Sequence, residues 1–359
     1  MEDRLLNLGF SERFINEAAA YPDFFLARVI SQYKDVYKVA TDRSEILAEI
    51  SGKLRYSVEI QSEYPAVGDF VMIDRDNEES GNAIIHYILR RKSTFIRRAA
   101  GTTKEIQVVA ANIDTVFICM SVNKDFNLRR LERYLSIAWN SGAMPVVVLT
   151  KSDLCPDIQT IFFQVEKIAV GADVVVTSSR LGDGYKVLLK YILPGITVAF
   201  IGSSGVGKSS LINCLTGKEM IQTMEIRKDD KGRHATTRRD LIVLPTGGSV
   251  IDTPGMREIG VESANLGKTF VEIEELADLC KFKDCRHENE PGCAVTKAIK
   301  DGIIDERRLI SYKKLKKEAK YEELNSKQIE KEKTKEMYSD FGGVENAKKF
   351  IKSKNKSKH

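Results

Sequence analysis

Eight residues in the middle of the chain, Gly202-Ser-Ser-Gly-Val-Gly-Lys-Ser209, form a glycine-rich pattern between an apolar run and a run with helical character. A G-x4-G-K-S pattern between a strand and a helix is a P-loop, whose backbone N–H groups and helix N-terminus surround phosphate groups. We expect Lys208 to reach the β- and γ-phosphates and Ser209 to bind Mg²⁺. The predicted phosphate-binding residues are Gly202, Ser203, Ser204, Gly205, Val206, Gly207, Lys208, Ser209 and Ser210.

Apolar runs alternate with helical spacing from about residue 108 to residue 252. This alternation is typical of a mostly parallel sheet with helices on both faces. The predicted helix after the first strand has apolar residues from Leu128 to Ala138. The predicted strands begin at Thr115, Pro145, Asp173, Ile196, Asp240 and Ser249.

Thr150-Lys-Ser-Asp153 follows one of these strands and is a candidate for recognising the base. The carboxylate of Asp153 can accept hydrogen bonds from guanine N1–H and from the 2-amino group. Adenine has an acceptor at N1 and no such amine, so ATP would leave a buried acceptor unpaired. Lys151 is expected to lie along the purine, with Ser152 beside it. Thr150 stands where Asn is usual, a departure that could weaken the support of this loop.

Three further segments match the remaining parts of a GTP site. Thr177, Ser178 and Ser179 follow a strand and fit the loop that closes over the base. Asp252-Thr-Pro-Gly255 matches the switch in which Asp252 helps to hold Mg²⁺ and the Gly255 N–H meets the γ-phosphate. The segment Gly232-Arg-His-Ala-Thr-Thr237 lies where the other switch is expected, and Thr236 or Thr237 could bind Mg²⁺. Loss of the γ-phosphate would release the Asp252-Thr-Pro-Gly255 segment.

The order of these motifs is circularly permuted. The base-reading residues precede the P-loop here, whereas they come last in ordinary GTPases. A permutation preserves the site because the parallel sheet stays the same and only the chain break moves. The break falls just after Asp252, so the following segment is covalently tied to that switch.

Three cysteines and a histidine crowd together after the switch, as C-x4-C-x-H-x5-C, at Cys280, Cys285, His287 and Cys293. Four such ligands form a closed tetrahedral zinc site, which is structural. The alternative is free cysteines near a surface histidine. Cys119, Cys155 and Cys214 are scattered, and we interpret them as small buried apolar residues.

The N-terminal hundred residues differ in character from the rest. One short amphipathic helix is predicted in the first twenty residues, and five short β-rich runs between Phe24 and Arg98 predict a small closed barrel of the OB type. The basic residues at the exit of this barrel could contact phosphates or form a solvated strand end. They are Arg90, Arg91, Lys92, Arg97 and Arg98. The predicted domains are a helical extension (1–23), an OB barrel (24–100), a permuted GTPase domain (101–270) and a mostly helical zinc-binding domain with a Lys-rich tail (271–359).

The formal net charge of +5 hides an uneven distribution, because residues 313–359 alone carry +7. Such a run of charges forms a solvated helix face or a loose tail, or it binds the phosphate backbone of a nucleic acid. No apolar run approaches the roughly 18 residues that a membrane span needs, and the first residues lack the pattern of a secretion signal. We therefore expect a cytoplasmic protein without a membrane partner.

The permuted motifs, the upstream barrel and the cysteine spacing together resemble the ribosome small-subunit-dependent GTPase A family, also called RsgA or YjeQ. The resemblance covers nearly the whole chain. It implies an OB domain, a permuted GTPase domain and a zinc domain. It further implies binding to the small (30S) ribosomal subunit and its 16S rRNA, late maturation of that subunit, slow GTP hydrolysis to GDP stimulated by it, and release of the assembly factor RbfA. Ala235 departs from the family pattern, in which a threonine stands at this position.

The residue that orients the attacking water is not obvious. Many GTPases have glutamine directly after the second switch motif, but this chain has Met256, whose thioether cannot orient water. We hypothesise that His234 does so once the ribosomal subunit orders its loop; the alternative is an exposed histidine that contacts rRNA. Two other readings of the whole chain stay open: an RNA-binding module regulated by GTP with negligible turnover, and a P-loop ATPase. A monomer is the simpler expectation.

Overall fold

The computed structural model describes residues 2–33, 35–58, 60–77, 81–98, 106–123, 126–179, 184–217, 239–252, 266–288 and 290–322. Within these ranges a five-stranded barrel is followed by an α/β domain and by a helical part that carries the Cys/His cluster. This order confirms the predicted fold class, while the residue numbers of the domain boundaries stay predictions. Among the helices of the described ranges, none is both long enough and apolar enough to cross a membrane.

Two short helices, α1 (Glu2–Asn7) and α2 (Glu12–Ala18), occupy the N-terminus, where the sequence predicts one. The break falls at Gly9, whose φ of 77° lies in the left-handed region that favours glycine. The turn brings Phe14 onto the barrel. Its ring is fully buried and stacks on that of Phe70 with 3.8 Å between the centroids. The N-terminal segment is therefore packed against the barrel.

The barrel contains the five strands that the sequence predicts. Strand β1 pairs with β2 on one side and with β4 on the other, which closes the ring, and β3 runs parallel to β5. Branched and small apolar side chains, including Val29, Val39 and Val71, fill the interior with no exposed surface. The short helix α3 (Gly52–Ser57) follows the third strand. The strands are β1 (Phe25–Gln32), β2 (Tyr37–Ala40), β3 (Glu45–Ile50), β4 (Phe70–Ile73) and β5 (Ala83–Ile88).

A two-stranded antiparallel hairpin, β6 (Thr94–Arg98) with β7 (Ile106–Ala111), connects the barrel to the next domain and is not predicted from the sequence. Two of the basic residues at the exit of the barrel form ion pairs with aspartates of the same chain. Arg91 forms a two-pronged ion pair with the fully buried Asp69, at 2.8 and 2.7 Å, and Lys92 pairs with Asp114. Arg91 and Lys92 therefore form ion pairs within the protein. This differs from both predicted roles, a phosphate contact and a solvated strand end.

The α/β domain is built on six strands in the order β10-β9-β8-β11-β13-β12. The first five are parallel, and β12 is antiparallel to β13. All seven residues of β8 are buried, as expected for a strand covered on both faces. The strands are β8 (Thr115–Ser121), β9 (Met144–Thr150), β10 (Asp173–Val176), β11 (Thr197–Ile201), β12 (Arg239–Val243) and β13 (Ser249–Asp252), and the helices are α4 (Leu128–Ser141), α5 (Ile158–Glu166) and α6 (Lys208–Thr216).

The barrel and the α/β domain share one sheet of eleven strands, because β1 also pairs with β12. Ser31 lies opposite Asp240 and Gln32 lies opposite Arg239 in this antiparallel contact. The Ser31 hydroxyl also donates to Asp240 Oδ1 at 2.5 Å. Since β12 is bonded in turn to β13, the barrel lies only two strands away from Asp252.

A fully buried arginine, Arg28, fastens the N-terminal segment to this junction. Its guanidinium donates to the carbonyls of Leu8 and Gly68 at 2.5 and 3.2 Å and lies over the Phe70 ring at 4.7 Å. Burial lowers the pKa of Arg28 to about 10, against the raising effect of Asp114 and Asp69. The side chain therefore stays protonated at neutral pH and can hold several carbonyls at once.

The C-terminal part contains four helices, of which the first and the last pack on helix α4. Phe270 and Ile273 have no exposed surface, and they join the apolar core that also contains Leu131 and Leu135 of α4. Tyr312 stacks edge-on against Phe270 with 5.5 Å between the centroids. The helices are α7 (Leu266–Thr269), α8 (Val271–Asp278), α9 (Ala294–Lys300) and α10 (Glu306–Glu322).

Candidate nucleotide and metal sites

The glycine-rich loop connects β11 to α6, as the P-loop pattern predicts. Gly202 has a φ of 139°, and a Cβ placed there would lie 2.4 Å from the carbonyl oxygen of Cys119. Gly205 and Gly207 have φ values of 76° and 102°. Residues with side chains rarely adopt this backbone path, which turns the loop tightly between strand and helix. The geometry is therefore that of a phosphate-binding loop.

Lys208, the first residue of α6, is held over the loop. Its ammonium group donates to the carbonyl oxygens of Gly202 and Ser203 at 2.7 and 2.6 Å, and the residue is buried. Ser209 and Ser210 follow it in the first turn of the same helix. The lysine is thus positioned at the helix N-terminus, where a cation and the backbone N–H groups can act together on an anion.

The base-reading loop is tied directly to the P-loop by Thr150. Its hydroxyl, which is buried, donates to the carbonyl oxygen of Val206 at 2.6 Å. Thr150 stands where the motif usually has Asn, and the sequence alone does not show whether this substitution weakens the loop. In this structure, the threonine side chain supplies the link between the two loops.

We expect Thr150→Val to raise the Kd for GTP about tenfold, because it leaves the buried Val206 carbonyl without its hydroxyl donor at a cost of about 1–2 kcal/mol. Thr150→Ser keeps the hydroxyl and is the matched control, with an expected Kd within about twofold of the original. Titration of fluorescent GTP measures both values. Equal affinities for the Val and Ser variants would show that this bond does not support the site.

Asp153 lies against the loop that the sequence assigns to closure over the base. Ser178 Oγ donates to Asp153 Oδ1 at 2.6 Å, and the Ser152 N–H donates to the Thr177 carbonyl at 3.2 Å. Lys151 has a φ of 58°, in the left-handed region, so the chain turns sharply just before Asp153. Ser178 thus orients the carboxylate that is predicted to read guanine.

The neighbouring Thr177 hydroxyl is buried and has no hydrogen-bond partner among the described residues. A buried polar group without a partner is uncommon and favours a ligand or a bound water at that position. Ser179 follows in the same loop and is exposed. In this loop the Ser178 hydroxyl is therefore hydrogen-bonded to Asp153, whereas the Thr177 hydroxyl is available to a ligand or a water molecule.

These loops lie together because they follow neighbouring parallel strands. Thr150 ends β9, Thr177 follows β10, Gly202 follows β11, and Asp252 ends β13. In open α/β sheets, ligands bind at this carboxyl edge. Asp252 is half-buried there, whereas His234, Thr236, Thr237 and Gly255 lie outside the described residues.

One polar contact with the P-loop is not predicted from the sequence. Arg130, in the first turn of α4, donates from Nη1 to the Ser203 hydroxyl at 2.9 Å. An arginine in an amphipathic helix gives no sequence signal for such a contact, because it depends on how the helix packs against the sheet.

The four predicted zinc ligands converge on one point. Their ligand atoms all lie within 4.8 Å of one another. The two sulfur atoms of Cys280 and Cys293 are 3.8 Å apart, and both lie 3.5 to 3.6 Å from His287 Nδ1. Tetrahedral ligands at zinc–sulfur distances of about 2.3 Å would have sulfurs roughly 3.8 Å apart. The residue set and its spacing fit a tetrahedral metal ion.

The surrounding backbone supports this cluster. Cys293 caps helix α9 and accepts the Thr296 N–H at 3.4 Å. Burial alone would raise the pKa of the Cys293 thiol, but hydrogen bonds from Thr296 and His287 outweigh it and lower the pKa to about 6. Glu290 accepts the N–H groups of Arg286 and Glu288, both at 2.8 Å, and so closes the loop between the ligands.

The remaining cysteines lie outside the cluster. Cys119 is fully buried in β8, and burial raises the pKa of its thiol to about 12. Cys155 and Cys214 are half-buried rather than fully buried. The small-apolar interpretation therefore describes Cys119 best.

The P-loop, the base-reading loop and the switch aspartate lie at one carboxyl edge of the sheet. Because the base-reading residues come first in the chain, this arrangement defines a circularly permuted P-loop GTPase. This chain belongs to the RsgA GTPase family, whose sequence model matches residues 88–262. Membership confirms the predicted resemblance and the prediction of a GTP-hydrolysing enzyme.

Curated relatives match almost the whole chain. A protein of Lactiplantibacillus plantarum described as "Small ribosomal subunit biogenesis GTPase RsgA 2" is 49% identical over 90% of this chain and 91% of its own length. A Methanosarcina acetivorans protein described as "Small ribosomal subunit biogenesis GTPase RsgA" is 44% identical over 92% of this chain and 90% of its own.

Two solved structures share the fold. The crystal structure of YjeQ from Thermotoga maritima has a TM-score of 0.61 and 27% identity, and it covers 82% of this chain and 98% of that one. YloQ, described as a circularly permuted GTPase, has a TM-score of 0.60 and 26% identity over 83% of this chain and 95% of that one.

A model described as ABC transporter also matches, over residues 188–354. That range includes the P-loop, a motif shared by ATP- and GTP-binding proteins. Asp153 and the barrel lie outside it, whereas the RsgA relatives align with about nine-tenths of the chain. The family assignment therefore follows the RsgA relatives.

Proposed function

We propose that this GTPase binds the small ribosomal subunit and assists its late maturation, hydrolysing GTP to GDP and phosphate as it does so. The observation that carries the proposal is the pair of contacts Thr150–Val206 and Ser178–Asp153, which join base-reading and phosphate-binding loops into one site. Support for the ribosomal role comes from relatives described as small ribosomal subunit biogenesis GTPases.

Each predicted residue has a proposed role at this edge of the sheet. The backbone N–H groups of the P-loop bind the phosphates, with Lys208 on the β- and γ-phosphates. Asp153 accepts from guanine, Lys151 lies along its face, and the loop of Thr177, Ser178 and Ser179 closes over it. The Mg²⁺ that accompanies GTP is held by Ser209, by Thr236 or Thr237, and by Asp252, while the Gly255 N–H meets the γ-phosphate.

The attacking water is oriented by His234 in our proposal. A neutral imidazole nitrogen can accept a proton from water, which Met256 cannot do. Binding of the ribosomal subunit would place His234 against the attacking water. This step explains how one partner can switch hydrolysis on.

The cluster of Cys280, Cys285, His287 and Cys293 is proposed to hold one zinc ion. Its chemistry is structural, because four protein ligands leave no open position for a substrate. The three thiols and the imidazole would fix the loop between α8 and α9. The chain around these ligands is polar, so the metal replaces the stability that apolar burial cannot supply.

The nucleotide state is proposed to time the encounter with the ribosome. GTP orders the switches, the barrel and the zinc-bearing part grip 16S rRNA, and hydrolysis releases the complex, with RbfA among the factors released. We propose that this happens in the cytoplasm, with the chain as a monomer. The Lys-rich segment after residue 313 adds positive charge that phosphates can attract.

Hydrolysis of GTP and ATP, measured with and without purified small ribosomal subunits, tests the proposal. We expect turnover of GTP, little turnover of ATP, and faster GTP turnover with the subunit. GTP binding with no turnover on the subunit would favour an RNA-binding module that GTP regulates. A preference for ATP would contradict the role of Asp153.

In the same assay His234→Ala is expected to lower subunit-stimulated turnover roughly 100-fold at unchanged affinity for GTP. Unchanged stimulated turnover would end the catalytic assignment of His234. Loss of subunit binding with normal turnover at saturation would instead favour an rRNA contact.

A further inference from the structure

Helix α4 lies between the P-loop and the C-terminal helices, and it makes a specific polar contact with each. Near its start, Arg130 donates to the Ser203 hydroxyl at 2.9 Å. The Asn127 side chain caps the helix by accepting the Arg130 N–H at 3.2 Å, which fixes the first turn. Arg130 is thus held in the first turn of α4 and must move with this helix.

An arginine in this position is not explained by helix stability. Cations are unfavourable in the first turn of a helix, and the first turn of α4 contains no acidic residue to balance them. In the part of the chain that the structure describes, the guanidinium of Arg130 meets a neutral hydroxyl rather than a carboxylate.

Arg130 and Lys208 approach the same P-loop residue from two directions. Arg130 donates to the hydroxyl of Ser203, and the Lys208 ammonium donates to its carbonyl at 2.6 Å. Two cations therefore hold one residue of an anion-binding loop. Any shift of α4 would pull directly on that residue.

Two residues further along α4, a buried carboxylate points to the C-terminal part. Glu132 is 3% exposed and lies 3.0 Å from Arg308 of α10. Burial raises the pKa of Glu132, while Ser311 and Arg308 act in the opposite direction. Arg308 also pairs with Glu272 and donates to the Thr269 carbonyl at 3.0 Å.

Further contacts surround the Glu132–Arg308 pair at this interface. The Arg308 guanidinium lies over the Phe270 ring at 5.0 Å. The Ser136 and Thr269 hydroxyls are 3.1 Å apart, and Arg133 lies 3.6 Å from Glu318. Arg308 thus ties together α4, α7, α8 and α10, and a movement of these C-terminal helices must act on α4.

We propose that Arg130 is a positioning residue for GTP hydrolysis and that the C-terminal part of the chain sets its position through the Glu132–Arg308 pair. The inference rests on the proposed GTP site. Helix α4 is then a mechanical connection between the metal-bearing part and the P-loop, separate from the covalent connection through the Asp252 switch. By linkage, the nucleotide bound at the P-loop acts back on the C-terminal part.

The first test uses GTP hydrolysis by the full chain without ribosomal subunits. Arg130→Ala is expected to lower kcat roughly tenfold, with the Kd for GDP changed by less than about twofold, because misplacing the loop affects the reacting geometry more than resting affinity. Arg130→Lys, which keeps the charge but not the guanidinium fork, is expected to recover part of kcat. Arg129→Ala, the exposed neighbour, is the matched control and should leave kcat unchanged.

The second test is a double-mutant cycle across the helix. Arg308→Lys keeps a positive charge beside the buried Glu132, so the variant should fold. A lysine cannot reach all three partners at once, and kcat should therefore fall several-fold. Glu132→Gln is a second, nearly isosteric variant, which removes the negative charge of the Glu132–Arg308 pair and should also lower kcat. The double variant Arg130→Ala/Arg308→Lys should be no slower than Arg130→Ala alone, because both act through the same contact.

Additive losses in the double variant, or an unchanged kcat in folded Arg308→Lys and Glu132→Gln, would overturn the coupling. A lowered melting temperature with unchanged kcat in Arg130→Ala would reduce Arg130 to a structural residue. If the unaltered chain failed to bind or hydrolyse GTP, the proposed function itself would fail, a different outcome from either of these.

Discussion

Replacing Asp153 by Asn is expected to reverse the base preference of the site, changing the ratio of affinities for GTP and xanthosine triphosphate by about 10⁴-fold. The carboxylate is proposed to accept two N–H groups of guanine, and the Asn amide can accept only one and presents N–H to the other. Xanthine carries a carbonyl oxygen where guanine has its 2-amino group, so the amide N–H finds a partner. Competition binding with both nucleotides measures the ratio.

Asp157→Asn is the matched control for this change. Asp157 is an exposed Asp four residues further on, and it caps α5 by accepting the Thr160 N–H at 3.2 Å. Asn caps helices about as well as Asp, so stability and base preference should both be unchanged. An unchanged preference in Asp153→Asn would mean that other residues read the base.

Replacing Cys285 by Ser is expected to abolish metal binding and to unfold the loop and helix that follow it. Structural zinc binding contributes about 10–16 kcal/mol in small domains, which is comparable to the 5–15 kcal/mol that stabilises a whole domain. Zinc content should fall from one ion per chain to nearly none. Hydrogen exchange should show loss of protection in α9, with protection in β8 and β9 retained.

Cys155→Ser, at a half-buried cysteine outside the cluster, should keep its zinc and its exchange pattern. Addition of a chelator to the unaltered chain should reproduce the Cys285→Ser result. A Cys285→Ser chain with a full complement of zinc and unchanged protection of α9 would contradict the assignment of the cluster.

The main elements of the fold could be predicted from the sequence because their signals are local. The segments Val116–Met120 and Val146–Leu149 consist only of apolar residues, which is the pattern of strands buried on both faces of a sheet. Both segments are almost completely buried in the structure. Strand pairing across domains could not be predicted. The β1–β12 contact and the Arg91–Asp69 pair join residues far apart in sequence, and nothing near either partner indicates the other.

The site shows the same division. Asp153, Lys208 and the cluster ligands follow from spacing, because phosphate, guanine and zinc chemistry fix which residue types must stand where. The outcome at Thr150 could not be read from the motif, since a hydroxyl can replace an amide only if the Val206 carbonyl lies within reach. The contact of Arg130 cannot be predicted for the same reason, because it depends on the packing of α4 and not on the neighbours of Arg130 in the chain.

The pairing of β1 with β12 has a consequence for solubility. Strand β12 is the last strand of the six-stranded α/β sheet, and without a neighbour it would present unpaired N–H and C=O groups to other chains. The barrel strand covers part of this edge, at Ser31 and Gln32. A shortened chain that began after the barrel would thus carry an open sheet edge beside its nucleotide site and a tendency to self-associate. The barrel therefore also acts as protection against edge-to-edge aggregation.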